Sequence, residues 1–313
     1  MKRLILIKLL FSIVLYSFGQ EVQPIIRFKG IKIWEQDKSP TDLGYKVVPN
    51  WLKIPMELKP KAVSSVTVDS KGVIYIVDRD SVPAVTAFND EGAFLFQWKP
   101  KGLGTPHFIH ADPNDDLWIT DTKNHQIYKL SKKGEIIFTL GEKGINGKGT
   151  SHFDKPTDID FLKDGSILVS DGYGQNKRIL KSNSKFEFIE EWGSKGTAPG
   201  QFAIPHALLV GSDNKVYVAD RDAWRVQVFD ANGKLLEVWP HIGRVFDIVE
   251  SSNHHFFCFD ATTARITKVD SQGKVLGFFG DGGQLIQGHG LTITSKGFLL
   301  AALLNGTVVV FSK

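Results

Sequence analysis

The sequence predicts an all-β fold, a six-bladed β-propeller whose ring is closed by an N-terminal strand. The first observation is a short apolar strand that recurs six times and ends at what we call the strand-end position: Asp78, Asp121, Asp171, Asp220, Asp260 and Leu303. Successive strand-end positions are 43, 50, 49, 40 and 43 residues apart, a period typical of propeller blades. Most repeats contain four strand patterns, which is the number in one blade.

The chain begins with a segment typical of a cleaved secretory signal. Residues 1–19 combine a basic start with an apolar run too short for a convincing membrane span. Cleavage after Gly19 removes three basic residues and lowers the formal net charge from +4 to +1. A nearly neutral protein lacks the basic surface that binds phosphates. We therefore expect a secreted or periplasmic protein with no nucleic-acid partner and no stable membrane span after cleavage.

An N-terminal extension of mixed charge follows over residues 20–44, either as an extra strand against the ring or as a linker. The propeller is expected over 45–313. Residues 45–51 read YKVVPNW, a strand pattern, whereas the sixth repeat ends after three strands. We infer that the N-terminal segment supplies the missing fourth strand, because ring closure removes the sheet edges that would otherwise promote aggregation.

Each repeat alternates β-branched and aromatic residues between turns rich in Gly, Asn and Asp, which favours antiparallel hairpins. A hydrophobic fraction of 42% is sufficient for packing between blades. Cys258 is the only cysteine and lies within the apolar stretch FFCF. We therefore expect a buried thiol rather than a disulfide. The strand-end aspartates are expected to accept backbone N–H bonds from the turns that follow them.

Three histidines occupy one register of the repeat. His107, His206 and His289 each lie 14 residues before the strand-end position of the second, fourth and sixth copies. Alternate blades of a six-bladed ring are related by about threefold rotation, so side chains that point into the central channel converge on its axis. Three imidazoles with an open fourth position form a catalytic zinc site. Alternatively, each histidine is hydrogen-bonded locally, and in that case their shared register is a coincidence. We predict Zn²⁺ or another divalent transition metal.

The loops that follow the strand-end positions carry further candidates. Arg79 and Arg221 begin these loops in blades 1 and 4, and Tyr173 lies two residues after Asp171, between glycines that would allow close approach to a ligand. An arginine, a tyrosine and a metal form a plausible site for an anionic substrate. Alternatively, the arginines form surface salt bridges and the tyrosine only packs.

The chain resembles NHL-type six-bladed propellers and, among them, the peptidyl-α-hydroxyglycine α-amidating lyases. The likeness covers about residues 60–311 and rests on TPHFIHADPNDDLWITDTKNHQIYKL, KPTDIDFLKDGSILVSDGYGQNKRI and GQFAIPHALLVGSDNKVYVADRDAWRVQVF. It implies a zinc ion on the same three histidines. It also implies that Arg79 binds the substrate carboxylate, that Tyr173 is the base, and that Arg221 is a further active-site arginine.

The reaction implied by this resemblance is cleavage of an N-acyl- or peptidyl-α-hydroxyglycine to a primary amide and glyoxylate. The substrate would thus be a small molecule or a peptide with a C-terminal α-hydroxyglycine, and we expect a monomer. The chain departs from the family at Gln287, Gly290 and Leu303. Gly290 stands where the family has an aspartate after the metal histidine, which counts against the structural calcium associated with that aspartate.

Two other functions remain open from the sequence. One is a non-catalytic propeller that binds a ligand or protein partner on its top face. The other is a metal-assisted hydrolase of a different carboxylated substrate, in which water would be the nucleophile.

Overall fold

The computed structural model describes residues 43–80, 82–280 and 283–313. The predicted signal peptide, 1–19, and nearly all of the predicted extension, 20–44, lie outside the described residues. Within the described ranges, no helix has the length and hydropathy needed to cross a membrane.

The described residues form six four-stranded antiparallel sheets, each of which is one blade. Blade 1 contains β2 (Val63–Val68), β3 (Ile74–Asp78), β4 (Ala84–Phe88) and β5 (Phe94–Trp98). Blade 2 contains β6 (Pro106–Ala111), β7 (Leu117–Asp121), β8 (Gln126–Leu130) and β9 (Ile136–Leu140). Blade 3 contains β10 (Asp158–Phe161), β11 (Ile167–Asp171), β12 (Arg178–Ser182) and β13 (Phe188–Trp192).

The remaining blades repeat this plan. Blade 4 contains β14 (Pro205–Val210), β15 (Val216–Asp220), β16 (Arg225–Phe229) and β17 (Leu235–Pro240). Blade 5 contains β18 (Val245–Glu250), β19 (Phe256–Asp260), β20 (Arg265–Val269) and β21 (Val275–Phe279). Blade 6 contains β22 (Gly288–Ile293), β23 (Leu299–Leu303), β24 (Val308–Ser312) and β1 (Lys46–Val47). Two short 3-10 helices span Met56–Leu58 and Arg221–Ala223. The predicted six-bladed propeller is confirmed.

The N-terminal strand closes the ring, as predicted. Lys46 pairs with Ser312 and Val47 with Phe311, and the Val48 N–H donates to the Val310 carbonyl at 2.8 Å. The first strand of every blade contacts the first strand of the next, and β22 contacts β2. These six inner strands therefore surround the central channel.

Aromatic residues at the ends of outer strands pack against the next blade. Trp98, at the end of β5, lies over the turn of blade 2 at Gly134, where a Cβ would overlap the indole ring and where φ is +78°. Buried aromatic residues join blades 4 and 5 in the same way, with Tyr217 4.5 Å from Phe256 between ring centroids. Cys258 is fully buried in this cluster, as expected, and burial raises the pKa of its thiol.

The strand-end aspartates accept hydrogen bonds from the loops that lie next to them. Asp78, Asp121 and Asp260 accept N–H bonds from the turns that follow them, as predicted. Asp171 and Asp220 accept backbone N–H bonds only from the preceding loop among the described residues. All five accept such a bond from the loop that precedes the inner strand of the same blade. This second set of bonds fixes the start of the inner strand in blades 1 to 5, whereas blade 6 has Leu303 at this position.

Candidate metal centre and active site

The three predicted histidines lie on the inner strands of alternate blades: His107 on β6, His206 on β14 and His289 on β22. The pairing register with the second strand of each blade shifts at the histidine. The shifts lie between Pro106 and Ile109, between Pro205 and Ala207, and between Gly288 and Gly290. Such a β-bulge leaves a residue unpaired and re-aims its side chain. The same shift is present in blades 1 and 5. The bulge is therefore a feature of the repeat, and the histidines occupy its position in the even-numbered blades.

The three histidines form one compact cluster. Their ring centroids are 4.5 Å (His107 to His289), 4.8 Å (His107 to His206) and 5.0 Å (His206 to His289) apart. One nitrogen from each ring lies within 4.8 Å of the other two, and no ring is more than 2% exposed. The convergence predicted from the repeat register is thus present in the structure.

Backbone carbonyls of the intervening blades orient all three rings. The Nδ1 atoms donate to a carbonyl in the next blade: His107 to Thr157 at 2.7 Å, His206 to Phe246 at 2.6 Å and His289 to Ser64 at 2.7 Å. A carbonyl oxygen only accepts, so Nδ1 carries the hydrogen and Nε2 keeps its lone pair. In metal-binding histidines, a hydrogen bond from the nitrogen that does not bind the metal fixes the orientation of the ring.

These orienting positions were not predicted, although the sequence contains a signal for them. Ser64, Thr157 and Phe246 each lie 14 residues before a strand-end aspartate, so they hold the histidine register in the odd-numbered blades. Even-numbered blades therefore provide the rings and odd-numbered blades the carbonyls that orient them.

All three imidazoles are neutral near pH 7. Burial is the largest cause that lowers the pKa of each ring, well below the usual range for His107 and His206 and to about 3 for His289. The charge of Arg221 lowers all three pKa values further, and that of Arg79 lowers those of His107 and His289. Neutral imidazole is the form that binds a metal.

Tyr173 lies directly against the histidine cluster. Its Oη is 2.8 Å from Nε2 of His206 and 3.2 Å from Nε2 of His107, and it accepts a hydrogen bond from Nη1 of Arg221 at 3.0 Å. Burial raises the pKa of this phenol, whereas Arg221 and Arg79 oppose the rise. The tyrosine and the histidines therefore belong to one site.

The donor set fits a divalent cation. A tyrosine hydroxyl has one proton and satisfies one of the two imidazole lone pairs beside it. Nε2 of His289 is buried and has no hydrogen-bond partner among the described residues. The three Nε2 lone pairs therefore share the single O–H donor of Tyr173. Three imidazoles form a ligand set that binds zinc.

Two glycines place the Tyr173 loop by contact with the protein itself. A Cβ on Gly172 would overlap the Pro205 carbonyl, and one on Gly174 would overlap the side chain of Asp154. From the sequence, these glycines were expected to allow close approach to a ligand. The structure assigns them instead to close packing between blades 3 and 4 and within the loop, which positions Tyr173.

The two predicted arginines flank Tyr173. Arg221 is buried, its guanidinium lies 5.2 Å from the Tyr173 ring centroid, and its Nε donates to Asp222 at 2.9 Å. Arg79 is half-buried, and burial lowers its pKa. Its charge acts on Tyr173 and on His289. The structure therefore brings all six predicted site residues into one neighbourhood, with Arg79 the least closely connected.

A second ionisable cluster, missed by the sequence analysis, lies further along the inner strands. Nε2 of His110 is 2.7 Å from Oδ1 of Asp158, and Asp160 and Asp247 lie close enough to act on the same ring. Burial opposes the imidazolium, but the three carboxylates outweigh it and raise the pKa of His110 to about 9. His110 on blade 2 is therefore paired with a carboxylate of blade 3.

The position of the family's calcium-associated aspartate has no space for a side chain. A Cβ on Gly290 would lie 2.7 Å from the Cα of Ser65. The backbones of blades 6 and 1 therefore approach each other more closely here than an aspartate would allow.

Comparison with known proteins agrees with the repeat pattern. The NHL repeat family model matches residues 103–130. A probable peptidyl-α-hydroxyglycine α-amidating lyase of Caenorhabditis elegans is 38% identical over 163 residues, which are 48% of this chain and 46% of that protein. The chain resembles the amidating lyases. Human NHL repeat-containing protein 3 is 34% identical over 230 residues, 69% of this chain and 65% of that protein.

The relatives named as amidating lyases support a related function over part of their length, whereas the name of human NHL repeat-containing protein 3 gives no activity. The chain spans less than two thirds of each of the two relatives. A solved streptogramin B lyase structure superimposes with a TM-score of 0.62 at 15% identity, covering 86% of this chain and 97% of that one. At this identity the likeness shows the propeller fold alone.

Proposed function

We propose that the protein is a metal-dependent lyase that cleaves N-acyl- and peptidyl-α-hydroxyglycine to a primary amide and glyoxylate. The observation that carries the proposal is the position of Tyr173, whose Oη contacts Nε2 of two histidines of the cluster and the guanidinium of Arg221. A proton acceptor, a cation and a metal site thus meet at one point. The relatives named as amidating lyases support the same reaction.

The substrate offers two groups that suit this site, a carboxylate and the hydroxyl on the adjacent carbon. Arg79 would bind the carboxylate, since its charge is close to the cluster and it has no ion-pair partner among the described residues. Arg221 is partly neutralised by Asp222, so it is better suited to Tyr173 than to the substrate. The hydroxyl would then lie toward Tyr173 and the histidines.

Tyr173 would move the proton. Its Oη accepts the hydroxyl proton as the C–N bond breaks and the aldehyde C=O forms, and the departing amide nitrogen takes up this proton from Tyr173, which returns the phenol to its ionised form. No water is consumed. Tyr173 must be ionised before it accepts this proton. Arg221 and Arg79 favour the phenolate, whereas burial disfavours it.

His107, His206 and His289 would hold the metal, for which we propose zinc. A divalent cation supplies positive charge that favours an ionised oxygen beside it and lowers the pKa of a nearby hydroxyl. The three imidazoles are neutral, so they leave that charge uncompensated for the substrate.

The proposal is tested by glyoxylate release from α-hydroxyhippurate, measured with zinc and with a chelator. We expect metal-dependent release that is lost, together with bound metal, in His206→Ala. The matched control is His254→Asn, because the His254 side chain is 65% exposed and lies in the turn after β18. It should keep both metal and activity. Full activity in His206→Ala, or stoichiometric metal without glyoxylate, would refute the proposal.

The setting of the enzyme remains a proposal too. We propose that it acts as a monomer outside the cytoplasm, secreted or periplasmic, on a small-molecule or peptide substrate. Sedimentation of the purified protein and fractionation of the native host test these two points.

A further inference from the structure

A cationic cleft opens beside the proposed base. We call it the lysine cleft; it is lined by Thr122, Lys123, His125, Lys155 and Tyr173 and has a volume of about 510 Å³. This volume lies within the range of small-molecule sites, about 300–1,000 Å³. Tyr173 is shared, since its Oη contacts the histidines and the residue also lines the cleft. Tyr173 is therefore a wall common to the lysine cleft and the histidine cluster.

The wall of the lysine cleft is held in an unusual backbone conformation. His125 and Lys155 have φ values of 58° and 62°, and residues other than glycine adopt this left-handed region uncommonly. The Lys155 N–H donates to Nδ1 of His125 at 3.1 Å, and the Tyr173 N–H donates to the Lys155 carbonyl at 3.3 Å. For His125 this conformation belongs to the repeat, because Trp224 and Ala264 occupy the same turn position in blades 4 and 5 with φ values of 58° and 53°. The two hydrogen bonds tie blades 2 and 3 to the loop that carries Tyr173.

Two lysines give the lysine cleft its positive charge. Lys123 and Lys155 are exposed, and neither ammonium has an ion-pair partner within the described part of the chain. The neighbouring carboxylates offset part of this charge but are bonded to other groups: Asp121 accepts four backbone N–H bonds, and Asp154 accepts the Gln175 N–H and lies 3.7 Å from Nδ1 of His125. Lys177, behind Tyr173, adds further positive charge. A ligand with its own negative charge is the natural complement.

A second cleft on the other side of the histidines differs in charge. It has a volume of about 470 Å³, and its lining includes Arg244, Phe246, Ala261 and Leu304. Its one cation, Arg244, is paired with Asp222 at 2.8 Å. An anionic substituent on the substrate would therefore be drawn to the lysine cleft rather than to this one.

We propose that the lysine cleft binds the acyl or peptidyl part of the substrate and that Lys123 and Lys155 select a carboxylate there. The preferred substrates are then α-hydroxyglycines preceded by glutamate or aspartate, or N-acylated with a dicarboxylic acid. This inference rests on the proposed lyase function and specifies its substrate class.

The test compares kcat/KM for N-acetyl-Glu-, N-acetyl-Gln- and N-acetyl-Lys-α-hydroxyglycine, with α-hydroxyhippurate as the reference. Two exposed charge pairs predict about a tenfold preference for Glu over Gln, expressed mainly in KM. The preference should fall as salt rises from about 0.05 M to about 0.5 M, because screening shortens the reach of exposed charges. In Lys123→Gln/Lys155→Gln the ratio should approach one, and in Lys123→Glu/Lys155→Glu the Lys substrate should become the best.

A matched control removes the same charge elsewhere in the same two blades. Lys133 and Lys185 are exposed and lie in the turns before β9 and β13, so Lys133→Gln/Lys185→Gln should keep the preference for Glu. Equal kcat/KM for the Glu and Gln substrates, with α-hydroxyhippurate still cleaved, overturns the assignment of the lysine cleft alone. No turnover of any of the four compounds overturns the proposed lyase function and this inference with it.

Discussion

Replacing Tyr173 by phenylalanine removes one oxygen atom from the centre of the proposed site. That atom is 2.8 Å from Nε2 of His206 and 3.0 Å from Nη1 of Arg221. A positioned base contributes about 10²–10⁴ in rate, so we expect kcat to fall about 10³-fold, which corresponds to about 4 kcal/mol. KM should change less than about threefold, since the proposed carboxylate contact uses Arg79. Metal content should be unchanged because all three imidazoles remain.

The assay is steady-state glyoxylate release over a range of α-hydroxyhippurate concentrations, with metal content measured on the same samples. Tyr217→Phe is the matched control, because it also removes a hydroxyl, here one that donates to Asp213 at 3.1 Å away from the histidines. It should keep kcat. A metal-loaded Tyr173→Phe enzyme with kcat within about tenfold of the wild type would show that Tyr173 is not the base.

Three further predictions concern stability. Asp220→Ala should lower the free energy of unfolding by about 3–5 kcal/mol. The reason is that the fully buried carboxylate is paired with Arg225 at 2.9 Å and accepts two N–H bonds. An unchanged calorimetric Tm would contradict this. The pKa of His110 is raised to about 9 in the folded protein, so its stabilising contribution is complete below about pH 6.5 and lost as pH rises through 9. The stability difference between wild type and His110→Gln should therefore shrink over that range, by up to about 3 kcal/mol in urea titrations, and a constant difference would exclude the charge. Val48→Pro deletes the N–H bonded to Val310 and should cost about 1–3 kcal/mol, with faster amide exchange in β24; exchange at the wild-type rate would refute this role of the N-terminal strand.

The repeat made much of this architecture predictable. Six strand-end positions with similar spacing indicated six blades, and the strand pattern of YKVVPNW indicated how the ring closes. The convergence of His107, His206 and His289 was predictable because side chains in the same register of alternate blades point toward the same central axis. Each of these inferences depends on sequence spacing alone, and the structure agrees with each.

What lay beyond the sequence depends on contacts between blades. The bulges that re-aim the histidines arise from pairing between strands, which spacing does not specify. The His110 to Asp158 pair joins residues 48 positions apart on different blades, with no common register to reveal it. The lysine cleft needs the loops after β7 and before β10 to meet at Tyr173. For Gly172, spacing suggested freedom near a ligand, whereas the structure shows packing against Pro205.

The central claim is cleavage of the bond between the amide nitrogen and the hydroxylated carbon, at a metal held by three histidines. Glyoxylate alone does not identify that bond, because hydrolysis of the acyl bond would release a carbinolamine that also decomposes to glyoxylate. The decisive measurement is the organic product of α-hydroxyhippurate treated with the zinc-loaded protein. We predict that benzamide forms in equal amount to glyoxylate, at a rate that increases with the amount of bound metal. Benzoate in place of benzamide, or benzamide formed equally well without metal, would contradict it.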